Sequence, residues 1–166
     1  MRPRRPGPPL LLAAVAAALL LALAPVARGQ TAGPAVEPSF AAALVRDALA
    51  AVNHANWTGN YTVLRDYADR GFAEANDPTR LAALFEPLRR AHLDLRRTLV
   101  VAPVMLRAEL GEGRRMQLTG YFPLEPEHVS FDLLFREEAG RWWLLGASVG
   151  TFPPIAPADA AGAARD

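Results

Sequence analysis

The apolar residues in the first half of the chain recur with the spacing of an α-helix. Ser39 is a favoured N-cap residue, so we expect a first helix to begin there. Apolar side chains then return every three or four positions, at Phe40, Ala43, Leu44, Ala48 and Ala51. The stretch 53–60 is rich in Asn, Thr and Gly, and it should interrupt this helix.

Two further helices are predicted before the middle of the chain. The second carries one apolar stripe, formed by Tyr61, Leu64, Ala68 and Phe72. Asp77 followed by Pro78 has the form of an N-cap and a first helical residue, so it marks the start of the third helix. The buried face of the third helix is formed by Leu81, Leu84, Phe85 and Leu88. Because proline disfavours helical backbone in the residue before it, Pro87 should end or bend this helix.

The second half of the chain changes to the two-residue period of β-strands. A β-rich run covers 98–110, and a Gly-Glu-Gly turn follows at 111–113. In the next strand, 115–122, one side is formed by Met116, Leu118, Gly120 and Phe122. After a loop, the third strand places on one side Val129, Phe131, Leu133 and Phe135. A turn at 139–140 leads into a last strand, 142–149.

These elements predict an α+β fold, in which three N-terminal helices pack on a curved four-stranded antiparallel sheet. Trp142 and Trp143 are adjacent, so they must point to opposite faces of the sheet. The core face of the last strand is assigned to Trp143, Leu145, Ala147 and Val149. The outer face mixes apolar and polar residues, which is typical of an interface, and we expect a homodimer there. The predicted dimer residues are Tyr121, Leu134, Trp142 and Leu144.

The N-terminal segment has the three regions of a secretory signal peptide. A basic start is followed by the apolar run 10–24, and Ala27 and Gly29 precede the expected cleavage site. An uncleaved N-terminal anchor is the alternative, although 15 apolar residues are few for a membrane span. The predicted organisation is a signal peptide at 1–29, a linker at 30–38, a domain at 39–152 and a disordered tail at 153–166.

The composition of the chain limits the cellular compartments and the classes of partner that we expect. All 18 basic residues are Arg, a bias typical of GC-rich bacterial genomes, so an exported chain should be periplasmic or secreted. The chain contains no Cys, which excludes disulfides and a lipid-modified Cys. Without residues 1–29, 14 Arg stand against 17 acidic residues, a net charge of −3. We therefore expect no binding to nucleic acid, and none to membranes after signal cleavage.

Helices followed by a strongly bent antiparallel sheet that ends in GRWWLLGASVG resemble the nuclear-transport-factor-2-like superfamily, the cystatin-like cone that includes ketosteroid isomerases and polyketide cyclases. Four segments look like secreted bacterial members with no assigned activity, and they read FAEANDPTRLAALFEPLR, LTGYFP, VSFDLLF and GRWWLLGASV. The resemblance covers about 40–151. It implies a cone-like sheet curled around the helices, a pocket at the open end, and homodimers that pair the outer sheet faces. The residues expected near this pocket are Tyr61, Phe72, Phe85, Met116 and Phe131.

Candidate chemistry is sparse, and we predict no cofactor, no metal site and no catalytic residue. The three histidines, at positions 54, 92 and 128, lack the close spacing of metal motifs. Asp66, Asp69 and Glu74 are the only helix carboxylates placed to act in the pocket, and their spacing suits solvent and neighbouring arginines better.

Two local patterns allow more than one interpretation. The triplets 56–58 and 60–62 match the glycosylation sequon, and helix capping by Thr58 or Asn60 is the alternative. The arginine pairs at 89–90 and 96–97 form a small basic patch, which Glu86 and Asp94 dilute, so that a solvated surface is favoured.

The sequence favours binding over catalysis. We expect non-covalent binding of a small apolar or amphipathic molecule, or of another periplasmic protein, without turnover. The alternative is an isomerase-, cyclase- or hydrolase-type enzyme that uses the cone pocket. Core-facing strand positions offer few polar groups for such chemistry, whereas apolar cavities commonly bind ligands.

Overall fold

A computed structural model describes residues 36–155 and confirms an α+β fold with a four-stranded antiparallel sheet. The helices are α1 (Pro38–Thr58), α2 (Thr62–Tyr67), α3 (Arg70–Ala75), α4 (Pro78–Leu84) and α5 (Glu86–Arg90). The strands, in sheet order, are β1 (Val104–Gly111), β2 (Arg115–Phe122), β3 (His128–Glu138) and β4 (Arg141–Phe152). The predicted signal peptide, most of the linker and the tail after Ile155 lie outside the described residues.

The first helix begins earlier than predicted, and it ends only in the last part of the stretch 53–60. Glu37, rather than Ser39, caps it, because the Glu37 carboxylate accepts hydrogen bonds from the amides of Ser39 and Phe40 at 3.0 and 2.7 Å. The helix continues through Asn53 to Thr58. Asn53 is buried, and its side-chain oxygen accepts from the amide of Leu95 at 3.0 Å. The predicted interruption therefore comes at Gly59 rather than at Asn53, since a partner distant in sequence accommodates Asn53 inside the helix.

The predicted second helix is divided into α2 and α3 at Ala68. The Asp69 carboxylate caps α3 by accepting from the amide of Phe72 at 2.8 Å. The Asp69 amide donates in turn to the carbonyl of Leu144 in β4 at 2.9 Å. The helical segment is therefore broken where its backbone contacts the edge of the sheet.

The predicted start of the third helix is confirmed at α4. The Asp77 carboxylate accepts from the amide of Arg80 at 2.8 Å, and Pro78 is the first helical residue. The helix ends at Leu84, and α5 begins at Glu86 with Pro87 in its first turn, so the predicted break before Pro87 is also confirmed.

The predicted strand at 98–110 was wrong in its first part. Residues Leu95–Leu99 form a 3₁₀ turn, and β1 starts only at Val104. Arg46 of α1 holds this turn, because its guanidinium donates to the carbonyls of Thr98 and Val101 at 3.1 and 3.0 Å. The carbonyls of Thr98 and Val101, which would bond to a neighbouring strand if this segment were a strand, bond instead to the Arg46 side chain.

The predicted faces of β2 and β3 are confirmed. The side chains that β2 and β3 bury toward the helices are Met116, Leu118, Phe122, Val129, Phe131, Leu133 and Phe135. Gly120 belongs to the same face and pairs with Phe131. A Cβ atom at this glycine would lie 2.2 Å from the Val104 carbonyl oxygen and 2.8 Å from Phe131 Cζ, so no larger residue fits without movement.

A β-bulge changes the faces at the start of β4. Leu134 pairs with Gly146, but Phe135 pairs with Leu144, so Leu145 is an extra residue in β4. Because one inserted residue reverses the alternation, Leu144 shares the helix-facing side with Phe135 and is fully buried. The assignment of Leu144 to the outer face was therefore wrong.

Because of the same bulge, each of the two tryptophans lies on the face of the sheet opposite to the one predicted. Trp142 packs against the core, and its ring centre lies 6.1 Å from that of Phe40 in α1. Trp143 pairs with Arg136 across the sheet and lies 3.8 Å from the guanidinium carbon of Arg141. The predictions that Trp142 lies on the outer face and Trp143 in the core were both wrong, because regular alternation does not hold across the bulge.

Candidate functional site

The five residues predicted to line a pocket lie in one hydrophobic core. Tyr61, Phe85, Met116 and Phe131 are each at most 2% exposed, and Phe72 is half-buried against the same cluster. The rings of Tyr61 and Phe85 stack with their centres 6.3 Å apart. The structure thus brings these residues together by packing them against one another. The cleft at the end of α1 is lined by other residues.

This cleft, of about 290 Å³, lies where the last turn of α1 meets the end of α5. Its lining residues are Asn56, Trp57, Arg89, His92 and Leu93. Gly59, with φ at 72°, ends α1 just after Trp57. His92, with φ at 49°, reverses the chain after α5. Both helices therefore end beside the cleft in a residue with left-handed backbone just after the last turn.

A chain of hydrogen bonds joins the cleft to the core. Arg89 donates to the hydroxyl of Tyr61, and that hydroxyl lies 2.5 Å from the side-chain oxygen of Asn56. Because a guanidinium can only donate, the Tyr61 hydroxyl accepts from Arg89, and it donates its own proton to the Asn56 side-chain oxygen. The Nδ2 of Asn56 is buried and has no hydrogen-bond partner among residues 36–155.

Arg89 also differs from its neighbours in charge pairing. Arg90 pairs with Glu86 at 2.7 Å, and Arg96 pairs with Asp94 at 2.5 Å. In the part of the chain that the structure describes, Arg89 has no carboxylate partner, since its side chain bonds only to the neutral Tyr61. Arg89 therefore brings an uncompensated positive charge to the cleft.

An aromatic wall completes the cleft. Trp57 is 61% exposed, and the guanidinium carbon of Arg96 lies 4.4 Å from its ring centre. Hydrogen bonds from Arg96 hold the pKa of Asp94 below its ordinary value, and the same contacts raise the pKa of Arg96. Asp94 thus keeps Arg96 in place over the indole, where a cation–π contact stabilises both side chains. The cleft offers an apolar surface next to a cation and an amide donor.

The candidate carboxylates do not converge on this cleft. Asp66 is exposed on α2, Asp69 caps α3, and Glu74 pairs with Arg70 at 2.6 Å. Asp69 also lies 3.4 Å from Arg136. Each carboxylate therefore has a local partner or faces solvent, and none lines the cleft.

The histidines lie in three different environments. His54 is exposed, His92 lines the cleft, and His128 is 8% exposed. The Nδ1 of His128 lies 3.2 Å from the carbonyl oxygen of Leu124, and its Nε2 accepts from the amide of Ile155 at 3.4 Å. Within the described region, no three His, Cys, Asp or Glu side chains are grouped closely enough to hold a metal ion.

The outer sheet face keeps two of the four predicted dimer residues. Tyr121 stacks on His128 with ring centres 5.2 Å apart, and Leu134 borders a shallow depression with Gly146 and Ser148. Polar side chains occupy the centre of this face, where Asp132 accepts from Gln117 and Thr119 at 3.2 and 3.1 Å. The face loses Trp142 and Leu144 and gains Trp143, so its apolar residues differ from the predicted set.

Sequence reasoning did not group the cleft residues. The local pattern around Asn56 and Trp57 predicts a sequon or an interruption of the helix, and that around Arg89 predicts a solvated patch. One signal was available, because Asn53 and Asn56 stand one turn apart on a helix face that is otherwise apolar. Neither Thr58 nor Asn60 is the N-cap of α2, which is Tyr61 without a side-chain hydrogen bond. The Asn60 side-chain oxygen accepts from the amide of Thr62, the first residue of that helix, at 3.1 Å.

Comparison with known proteins assigns no family to this chain. No family profile, curated protein or solved structure gave a significant match.

Among the helices of residues 36–155, none combines the length and the apolar character that crossing a bilayer requires. The cleft is therefore the feature from which a function can be inferred.

Proposed function

We propose that this protein is an exported binding domain whose cleft takes a small anionic molecule with an apolar body, without turnover. The observation that carries the proposal is the pairing of Arg89, which has no carboxylate partner among the described residues, with the buried, unpartnered amide of Asn56. A carboxylate is the simplest group that satisfies both donors.

The energetics favour an occupied cleft. A buried polar group without a hydrogen-bond partner costs about 1–3 kcal/mol. Asn56 Nδ2 has almost no accessible surface, so the amide must turn toward the cleft before a ligand oxygen can offset this cost. A guanidinium forms charge-assisted hydrogen bonds with a carboxylate, and these are stronger than neutral ones. Trp57 and Leu93 then provide the surface for an apolar body. This combination explains why the ligand should be amphipathic rather than purely apolar.

The lining of the cleft supports binding over catalysis. Among residues 36–155 no carboxylate lines the cleft, and of those lining residues His92 could act as an acid or base. The enzyme alternative needs a further positioned group, and the three candidate carboxylates lie elsewhere.

The wider assignment is part of the same proposal. Several helices followed by a four-stranded antiparallel meander agree with a nuclear-transport-factor-2-like domain, in which the sheet would curve around the helices as a cone. Export to the periplasm or the medium rests on the sequence of residues 1–29. A homodimer is also proposed.

Native mass spectrometry of the protein purified from its own host tests the function. The wild-type protein should carry a small molecule that is detected as an anion after release. The Arg89→Met variant should lose it, whereas Arg80→Met, which removes an exposed arginine from α4, should keep it. Wild-type protein free of any bound molecule, or equal retention by Arg89→Met, would contradict the proposal.

A further inference from the structure

The two edges of the sheet differ in how they are covered. At the β4 edge, Ala68 forms a bridge to Leu144, and the Asp69 amide donates to the Leu144 carbonyl at 2.9 Å. At the opposite edge, no strand of residues 36–155 pairs with the free side of β1. The backbone donors and acceptors on that side are thus open to another strand.

Exposed apolar side chains are concentrated beside this open edge. Half of the eight large apolar residues exposed in the described region lie between positions 99 and 106, and they are Leu99, Val100, Val104 and Leu106. Arg46 holds the backbone of this segment by donating to the carbonyls of Thr98 and Val101. The exposed apolar side chains of the segment are therefore attached to an ordered turn. An apolar surface next to an open strand edge is typical of a protein interface.

The charges of β1 select one way for the strand to pair with itself. Arg107 and Glu109 lie on the outer sheet face, opposite Thr119 and Gln117 of β2. In an antiparallel pair of identical strands, a two-fold axis at residue 107 would place Arg107 against its own copy. An axis at residue 109 would do the same with Glu109. An axis at Ala108 instead places Arg107 of each copy opposite Glu109 of the other, and opposite charges stabilise such cross-strand pairs.

We infer that β1 pairs antiparallel with β1 of a second copy of this chain, about a two-fold axis at Ala108. The two sheets then form one continuous sheet of eight strands. Leu106 of one copy lies near Leu110 of the other, which covers an apolar side chain that is 61% exposed in the single copy. This dimer specifies the surface of the homodimer included in the proposed function, and it does not depend on the ligand cleft.

The same features explain why this edge should reject other strands. The bulge between Met105 and Arg107 and the two charged side chains discourage non-specific pairing, as is common at exposed edges. A shift of the axis to residue 107 or 109 would bring like charges together, so these charges disfavour those two registers.

Sedimentation velocity of the protein purified from its host, over the micromolar range, tests this interface. The wild-type protein should change from monomer to dimer as its concentration rises. Arg107→Glu and Glu109→Arg should each raise the dimer dissociation constant at least about fivefold, because both symmetric pairs become repulsive. The double variant Arg107→Glu/Glu109→Arg should restore the dimer, since the charges are then exchanged.

Two controls separate this interface from others. Arg80→Glu changes an equal charge on α4 and should leave the dissociation constant unchanged. Leu134→Arg on the outer sheet face should also leave it unchanged. A monomer at every concentration, a failure of the double variant to recover, or loss of the dimer in Leu134→Arg would overturn the inference. Ligand binding is measured separately, so its outcome does not affect this test.

Discussion

Arg89 donates a hydrogen bond to the hydroxyl of Tyr61, and its guanidinium carbon lies 5.5 Å from the centre of the same ring. Tyr61 is 1% exposed, so a residue of the core holds a charged residue of the cleft. The same hydroxyl orients the Asn56 amide at 2.5 Å. One phenol therefore positions both of the donors that we propose for the ligand.

Removing the Tyr61 hydroxyl should weaken the fold. Tyr61→Phe leaves the Asn56 oxygen and Arg89 without their shared partner, so the free energy of unfolding should fall by about 1–2 kcal/mol. Tyr121→Phe is the matched control, because the Tyr121 hydroxyl has no hydrogen bond among the described residues, and it should change stability by less than about 0.5 kcal/mol. Urea unfolding measures both. Equal losses would argue against the hydrogen-bond chain.

The face assignment of the sheet predicts unequal effects at two aromatic residues. Phe131 is 2% exposed in the core, so Phe131→Ala should lower the free energy of unfolding by about 3–5 kcal/mol. Trp143 lies half-buried on the outer face, and Trp143→Ala should cost only about 1 kcal/mol. A loss below about 1 kcal/mol for Phe131→Ala in urea titration would show that the assigned face is shifted by one residue.

Two glycines of the sheet provide a test of packing. An added methyl group at Gly120 meets the Val104 carbonyl and Phe131, so Gly120→Ala should destabilise the protein by about 1–3 kcal/mol or more. At Gly146 the nearest atom to an added Cβ is 3.8 Å away in Leu134, an ordinary contact. Gly146→Ala should therefore be close to neutral, within about 0.5 kcal/mol. Similar melting temperatures for the two variants would contradict the close approach at Gly120.

The cap of α1 predicts a dependence on acid pH. Hydrogen bonds from Ser39 and Phe40 hold the pKa of Glu37 below its ordinary value of 4.5. A carboxylate with a lowered folded pKa stabilises the fold above its unfolded pKa, and this contribution is lost as the pH falls through the folded pKa.

Glu37→Gln removes that ionisation while it keeps an oxygen acceptor. The variant should lose less stability than the wild-type protein as the pH falls below about 4.5. Glu112→Gln, in the exposed turn after β1 with no side-chain cap, should follow the wild-type curve. Parallel curves for the wild-type protein and Glu37→Gln in thermal melts at several pH values would exclude a role for this cap.

The alternation of apolar and polar residues along the strands, together with the helix-capping residues, predicted much of the fold. The faces of β2 and β3 and the start of α4 at Pro78 follow from local pattern alone, because one face of each strand is buried and Asp77 caps its own helix. The continuation of α1 through Asn53 depends on a hydrogen bond to Leu95, 42 residues further along the chain. No local propensity contains that partner.

For a similar reason, the sequence pattern could not predict the bulge in β4 or the cleft between α1 and α5. In β4, the sequence Trp-Trp-Leu-Leu alternates acceptably in either register, and only pairing with β3 shows that Leu145 is the extra residue. The cleft requires the ends of α1 and α5 to meet, and residue spacing does not place Asn56 beside Arg89. Contacts between distant segments decided both features.

A binding comparison of two probes tests the central claim most directly. Phenylacetate and 2-phenylethanol have nearly the same apolar body, but only phenylacetate carries a carboxylate. In calorimetric titrations of the wild-type protein and of Arg80→Met, phenylacetate should bind at least about tenfold more tightly, the equivalent of one charge-assisted hydrogen bond. Arg89→Met should abolish that preference. Equal affinity of the wild-type protein for the two probes, or a preference that survives in Arg89→Met, would contradict an anion-binding cleft at Arg89 and Asn56.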